Sequence, residues 1–265
     1  MDLLREYLCD RSSGTRHAIL IDPADQSPEV AANRALAAAN AGSSMVLVGG
    51  SSDTDMENVH ETVVAIKEAL ELVTWAASQD SGNDDETKTL PVVLFPQGAA
   101  ALSPAADGIT FMMLMNSTDP RFLIGEQVKG APFVKKANIE PVSMGYLICA
   151  PGGKAGLVGK ADLIHPGETE RVSAFSMAAE LLGFSLFYLE AGSGAENPVS
   201  TGLIKAARES CGLPIIVGGG IRDSKAARAA SEAGADWVIT GNITEEYADV
   251  SELQAVLTDL IGSFD

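Results

Sequence analysis

Basic residues are scarce in this chain: 18 Lys+Arg stand against 36 Asp+Glu, a formal net charge of −18. A field of that sign repels polyanions, so nucleic acid and anionic membrane surfaces are expected to be poor partners. The acidic residues run along the whole chain rather than in one tail, a pattern expected of adaptation to high salt, where self-repulsion is screened. Cysteine is rare too. Cys9, Cys149 and Cys211 are far apart, odd in number and without metal-ligand spacing, which argues against a disulfide framework or a zinc site. His17, His60 and His165 are scattered, and each is expected to be a surface or satisfied residue rather than a ligand. No apolar run reaches the roughly 18 residues that a bilayer requires. The stretch MDLLREYLCDRSS carries charges where a secretory signal needs an apolar core, so a cytoplasmic protein with no transmembrane segment is expected.

What the chain does have is a rhythm of short β-branched runs alternating with Ala-rich amphipathic stretches. Eight runs read as strands: HAILID (17–22), MVLVGG (45–50), PVVLF (91–95), GITFMML (108–114), VSMGYLIC (142–149), SLFYLE (185–190), PIIVGG (214–219) and DWVITG (236–241). Their near-continuous apolar character predicts burial on both faces, and the helical stretches between them predict parallel crossovers. Nothing near the start resembles the GxGxxG opening of a dinucleotide fold, so the pattern predicts a (β/α)8 TIM barrel spanning residues 1–265 as one domain. One unit breaks the rhythm. Between the third and fourth runs lie too few residues, too rich in Gly and Pro, for a crossover helix, so the third helix is expected to be missing or degenerate and the wall open there. Helices are expected over 28–42 and 56–73, among others, and an acidic surface insert over about 77–89.

Barrel chemistry sits where strands end, so those residues are the candidates. The first strand ends in Asp22 and the second in Gly49, Gly50 and Ser51. The sixth ends in Tyr188 and Glu190, the seventh in Gly218 to Gly220, and the eighth in Gly241 and Asn242. Glycines after strands seven and eight let backbone N–H groups approach an anion, and the helices that follow are expected to add their positive ends, a phosphate site built from the last two βα loops. Asp22 and Ser51 are hard oxygen donors suited to Mg²⁺, which takes one or two protein oxygens plus substrate phosphates. Asp22 also reads as a cap on the turn before Pro23. Glu190 reads either as an acceptor of a substrate hydroxyl proton or as an ion-pair partner of Arg222. Met112, Met113 and Met115 are expected to fill core gaps or to line an adaptable apolar groove.

At these residues the chain resembles the geranylgeranylglyceryl phosphate synthase family, which includes bacterial prenylglyceryl phosphate synthases. The similar segments are LIDPADQ (20–26), VLVGGS (46–51), FLIGEQVKGAPFVKK (122–136), FYLEAGSGAENPV (187–199), IIVGGGIR (215–222) and TGN (240–242). They run from the first strand to the last.

The resemblance implies Mg²⁺-dependent transfer of a prenyl group from geranylgeranyl diphosphate to the C3 hydroxyl of sn-glycerol 1-phosphate, releasing diphosphate, in archaeal ether-lipid biosynthesis. It places metal ligation on Asp22 and Ser51 and catalysis on Glu190 and Tyr188. Substrate binding falls on Tyr188, Leu189, Glu190, Ala191, Gly192, Ser193, Gly194 and Ala195, then on Gly219, Gly220, Gly241 and Asn242. It also implies a homo-oligomer and a transient membrane contact on product release. The chain departs from many relatives at Ala24–Gln26, where a lysine is absent, which leaves more of the diphosphate charge to Mg²⁺. The alternatives are a synthase of other prenyl length such as heptaprenyl, a barrel acting on another sugar or indole phosphate, and a phosphometabolite-binding protein. The sugar and indole phosphate barrels should carry a Lys or Asp acid–base pair on opposite strands, and no such pair is found.

Overall fold

The computed structural model describes residues 3–81 and 90–264. Helix α1 (Leu3–Cys9) precedes β1 (Arg16–Ile21), α2 (Pro28–Asn40), β2 (Met45–Val48), α3 (Met56–Ser81), β3 (Val92–Leu94) and β4 (Gly108–Leu114). A π turn (Arg121–Gly125) leads into α4 (Glu126–Ala137), then β5 (Glu140–Ile148), α5 (Gly153–Val158), α6 (Thr169–Leu181) and β6 (Leu186–Glu190). The chain closes with α7 (Thr201–Ser210), β7 (Ile215–Gly218), α8 (Ser224–Glu232), β8 (Trp237–Thr240), α9 (Ile243–Glu246) and α10 (Val250–Ile261). All eight strands pair in parallel with their sequence neighbours, and β1 pairs β8 to close the barrel.

The side-chain period of two divides this wall into two cores. Ala18, Met45, Leu47, Met144, Tyr146, Leu186, Tyr188, Ile216, Trp237 and Ile239 fill the barrel interior, whereas Ile19, Val46, Leu147, Phe187, Val217 and Val238 pack outward against the helices. Following the inward parity to the C-terminal end of each strand reaches Asp22, Ser51, Glu190, Gly218 and Gly241. The alternation that builds the core therefore aims these residues at one mouth. The opposite end is stoppered by α1: Leu4 and Leu8 join the interior core, and Trp237 Nε1 donates to Leu8 O at 3.1 Å.

Two expectations need correction or extension. Among residues 95–107 no helix forms, so the third crossover is bare as expected, but α3 runs on to Ser81. The acidic insert thus begins as helix over 77–81, and 82–89 lie outside the described residues. The short helices α1, α5 and α9 lack the periodicity of a longer amphipathic stretch and were not legible in the pattern. Cys9, Cys149 and Cys211 are free thiols, the last two buried.

His17, on the outer face of β1, is the satisfied histidine that scatter predicted: Nδ1 meets Ser43 Oγ at 2.7 Å and Nε2 meets Thr240 Oγ1 at 2.9 Å. Burial pushes its pKa down to about 3 from 6.5. Between those values the unfolded chain holds a proton that the folded chain does not, so this stability is full above pH 6.5 and is lost as pH falls toward 3. Going from about pH 7 to about pH 5 is expected to remove about 2 kcal/mol through His17 alone. Urea unfolding of the wild type and His17→Gln at both pH values checks this, with the larger acid loss in the wild type.

Candidate active site

The C-terminal mouth holds two compartments that share a wall. The smaller, the more polar of the two, encloses about 560 Å³ with its opening and includes Ser51, Tyr188, Glu190, Ser193, Gly219, Gly220, Gly241 and Asn242 in its lining. The larger is an apolar groove of about 920 Å³ with its opening, running past Phe95, Leu102, Ile109, Phe111, Phe122 and Val134. Leu20, Ser51, Phe95, Tyr146 and Ala155 line both. The groove exists because no crossover helix covers β3 and β4, leaving their outer face to the 95–107 loop and α4. Met112 lines it, as one of its two readings anticipated.

Glu190 is 6% exposed, and burial raises its pKa even though two donors hold the carboxylate. The Tyr188 hydroxyl donates to Oε2, and Gly192 N–H donates to Oε1 at 2.6 Å. Arg222 does not pair with it: its Nε sits 3.0 Å from Glu246 Oε1, which removes the ion-pair reading. A buried carboxylate oriented by donors on both oxygens is poised to accept a proton. Tyr188 and Tyr146 have their own pKa values pushed well up by burial and by the Glu190 charge, so both rings remain neutral. With Phe95 they form a cluster of centroid separations 5.1 to 5.9 Å at the junction of the two compartments.

Loop seven approaches this carboxylate as closely as a backbone can. Gly219 has φ +80°, and a Cβ there would strike Glu190 Oε1 and lie 2.7 Å from Gly192 N. Gly219→Ala is therefore expected to cost about 2 kcal/mol of stability and to displace the carboxylate. Thermal melts with and without inorganic phosphate check it: the anion is expected to raise the wild-type Tm and to leave the variant's unchanged.

The helix ends differ from expectation. At α8 the Asp223 side chain caps the helix, accepting from Ala226 N at 2.7 Å and setting a carboxylate at its start. Loop seven thus offers its glycine backbone rather than a helix dipole to an anion. Helix α9 opens directly at Asn242 without a side-chain cap. Asn242 instead ties loops six and eight together, its Oδ1 accepting from Ser193 Oγ at 2.9 Å and Gly194 N at 2.7 Å. From the end of β6 into loop six the residues divide between pocket and outer core. Tyr188, Glu190 and Ser193 face the pocket, whereas Leu189, Ala191 and Ala195 pack into the outer core.

Asp22 caps the turn before Pro23, one of its two readings. Oδ1 accepts from Ala24 N at 3.0 Å, capping the turn, and the carboxylate lies where any side chain on Gly50 would collide with it. Burial raises its pKa to about 6, with Asp25 and Glu245 adding to the rise and Lys154 opposing it. Asp25 and Glu245 act on Asp22 as like charges and Lys154 as an opposite one. Asp22 and Ser51 fit a cation as a carboxylate–hydroxyl pair open to further oxygen ligands. Among the described residues no group of three His, Cys, Asp or Glu forms a complete cage.

Lys154 is the site residue that sequence reading missed. It opens α5, acts electrostatically on Asp22, and reaches within 3.9 Å of Asp53 Oδ2. The signal was present in PGGKAG (151–156), a glycine-rich turn with one cation directly after β5.

Glycine backbone after β7 and β8, a buried carboxylate and an apolar groove share one mouth of a (β/α)8 barrel. Residues 10–259 match the PcrB family, and the chain belongs to it. It is 43% identical over 250 residues to the geranylgeranylglyceryl phosphate synthase of Methanococcoides burtonii, covering 93% of this chain and 94% of that one. The wild-type enzyme of that name from Thermoplasma volcanium superposes with TM-score 0.88 at 38% identity, covering 100% of this chain and 98% of that one. The Thermoplasma acidophilum (S)-3-O-geranylgeranylglyceryl phosphate synthase, solved with its substrate sn-glycerol-1-phosphate, gives the same score at 35% identity with the same coverage. A tryptophan synthase alpha subunit from Legionella pneumophila, at TM-score 0.55 and 18% identity, shares the fold alone.

Proposed function

We propose that this protein joins a geranylgeranyl group to the C3 hydroxyl of sn-glycerol 1-phosphate and releases diphosphate, in archaeal ether-lipid biosynthesis. The observation that carries the reading is the shared wall. A smaller pocket suited to a glycerol ester and an apolar groove suited to a polyprenyl tail meet at Ser51, Phe95 and Tyr146, so the C3 hydroxyl oxygen and the allylic carbon of the donor are brought together there.

The glycerol phosphate enters with its phosphate on the backbone of Gly219–Gly220 and Gly241–Asn242, which sets its far hydroxyl toward Glu190. The prenyl tail lies along the groove, and its diphosphate faces Asp22, Ser51 and Lys154. These two oxygen donors would hold Mg²⁺, which when bound offsets the charge that develops on the leaving diphosphate. As the carbon–diphosphate bond breaks, the allylic carbon gains positive charge beside the neutral rings of Tyr146, Tyr188 and Phe95, whose faces attract a cation. The C3 oxygen forms the ether bond, and its proton passes to Glu190, whose burial favours the protonated product state. Tyr188 holds the carboxylate in line throughout.

Lys154 takes the place of the lysine absent from loop one. Lys154→Ala is expected to raise KM for the prenyl diphosphate about tenfold, the worth of one charge-assisted contact, and to leave KM for glycerol phosphate unchanged. Steady-state kinetics with each substrate varied in turn measures this.

The whole reading is tested by incubating the protein with Mg²⁺, glycerol 1-phosphate of either hand and prenyl diphosphates of several lengths, then weighing the products. A geranylgeranyl ether of the sn-1 hand supports it, and no ether with any pair contradicts it. Preference for a heptaprenyl donor would change the chain length and keep the chemistry. The enzyme is proposed to act as a homo-oligomer in a salt-rich cytoplasm, touching a membrane when its product leaves.

A further inference from the structure

A phosphate held on loops seven and eight stands in an acidic setting. Glu190 lines the same pocket, Glu245 and Glu246 follow Asn242 on α9, and Asp223 sets a further carboxylate at the start of α8. Glycine N–H groups supply hydrogen bonds to an anion but no net charge to balance those acids. Among the described residues that line the pocket, Arg222 is the one cation.

Packing fixes where Arg222 stands. Gly220 takes φ +72° and lies so close to loop six that a Cβ there would come within 2.8 Å of the Asn197 carbonyl carbon. Ile221 is buried in the outer core, so the next residue along is carried to the rim beside the two glycines. The Arg222 Nε lies 3.0 Å from Glu246 Oε1, and buried Ile243 sets the start of the short helix that carries this acid. Glu246 itself does not line the pocket. The carboxylate therefore takes one corner of the guanidinium, and among the described residues neither terminal nitrogen has an ion-pair or hydrogen-bond partner. Those two NH₂ groups form a planar fork whose spacing matches two oxygens of one phosphate.

We propose that Arg222 binds the acceptor's phosphate: its terminal nitrogens grip the anion held on Gly219–Gly220 and Gly241–Asn242, while Glu246 steadies Nε from outside the pocket. The inference rests on the glycerol phosphate reading above and adds the residue that tells a phosphorylated acceptor from a neutral polyol. Its charge also offsets the repulsion between the phosphate and Glu190, so the carboxylate stays ionised and able to take a proton with the acceptor in place.

Calorimetric titration of the full chain with inorganic phosphate, together with steady-state kinetics in which glycerol 1-phosphate is varied, tests it. Arg222→Gln is expected to bind phosphate about tenfold more weakly than the wild type and to raise KM for glycerol 1-phosphate by a similar factor. Its kcat and its KM for the prenyl diphosphate should stay within about twofold of the wild type. Arg222→Lys keeps the charge and loses the fork, so it should recover part of the loss. Glu246→Gln breaks an exposed ion pair and leaves the guanidinium, so it should bind phosphate within about threefold of the wild type. Phosphate binding by Arg222→Gln as tight as by the wild type overturns the proposal. A loss in Glu246→Gln as large as in Arg222→Gln also overturns it, because the tie between loops seven and eight would then be the source. Phosphate binding that depends on Arg222, with no ether formed from any prenyl donor, supports this inference and removes the reaction. Ether formation with a KM indifferent to Arg222→Gln does the reverse.

Discussion

Glu190→Gln is expected to lower kcat by about 10²- to 10⁴-fold, the usual worth of a positioned base, with sn-glycerol 1-phosphate still bound. Glutamine keeps the size of the side chain but has one acceptor atom where the carboxylate has two. Tyr188 and Gly192 each donate to a different oxygen, so one of these donors would face the amide NH₂ instead. That mismatch costs about 1–3 kcal/mol of local stability and rotates the amide away from the hydroxyl it should serve. Single-turnover prenyl transfer, paired with calorimetric binding of the glycerol phosphate, separates the lost chemistry from lost binding. Turnover at the wild-type rate would remove Glu190 from the role of base.

Asp22→Asn is expected to have the next largest effect and of a different kind. Asparagine still accepts the Ala24 N–H through Oδ1, so the turn before Pro23 survives. What disappears is the negative charge that lies against Gly50, next to Ser51. The Mg²⁺ concentration for half-maximal rate should rise about tenfold or more, as for loss of one of few protein ligands. Turnover at Mg²⁺ levels that just saturate the wild type should fall severalfold and recover as Mg²⁺ is raised. Magnesium titration of both proteins checks this, and an unchanged titration would place the metal elsewhere.

Much of this arrangement was readable before any coordinates. Each strand announced itself because a parallel barrel buries both faces, giving apolar runs such as 45–48 and 215–218 that a loop cannot mimic. The residues ending those runs were the right ones to inspect, since inward parity carries Leu186 and Tyr188 on to Glu190. The missing third crossover was legible from spacing alone. Other features depend on distances that a chain does not display. Nothing in the sequence separates Arg222 pairing with Glu246 from Arg222 pairing with Glu190, because both acids lie on neighbouring loops. The cap that Asp223 places on α8 occupies the helix end that a glycine-rich turn appeared to offer an anion. Lys154 lies more than 130 residues from Asp22 and meets it only after the barrel closes.

The central claim is spatial: one pocket presents the glycerol hydroxyl to Glu190 at the point where the apolar groove ends. A crystal soaked with sn-glycerol 1-phosphate measures it directly. The account predicts the phosphate on the backbone of Gly219–Gly220 and Gly241–Asn242, with the C3 hydroxyl within hydrogen-bond reach of Glu190. A phosphate bound outside those two loops, or a C3 hydroxyl turned away from Glu190 and Ser51, would contradict it.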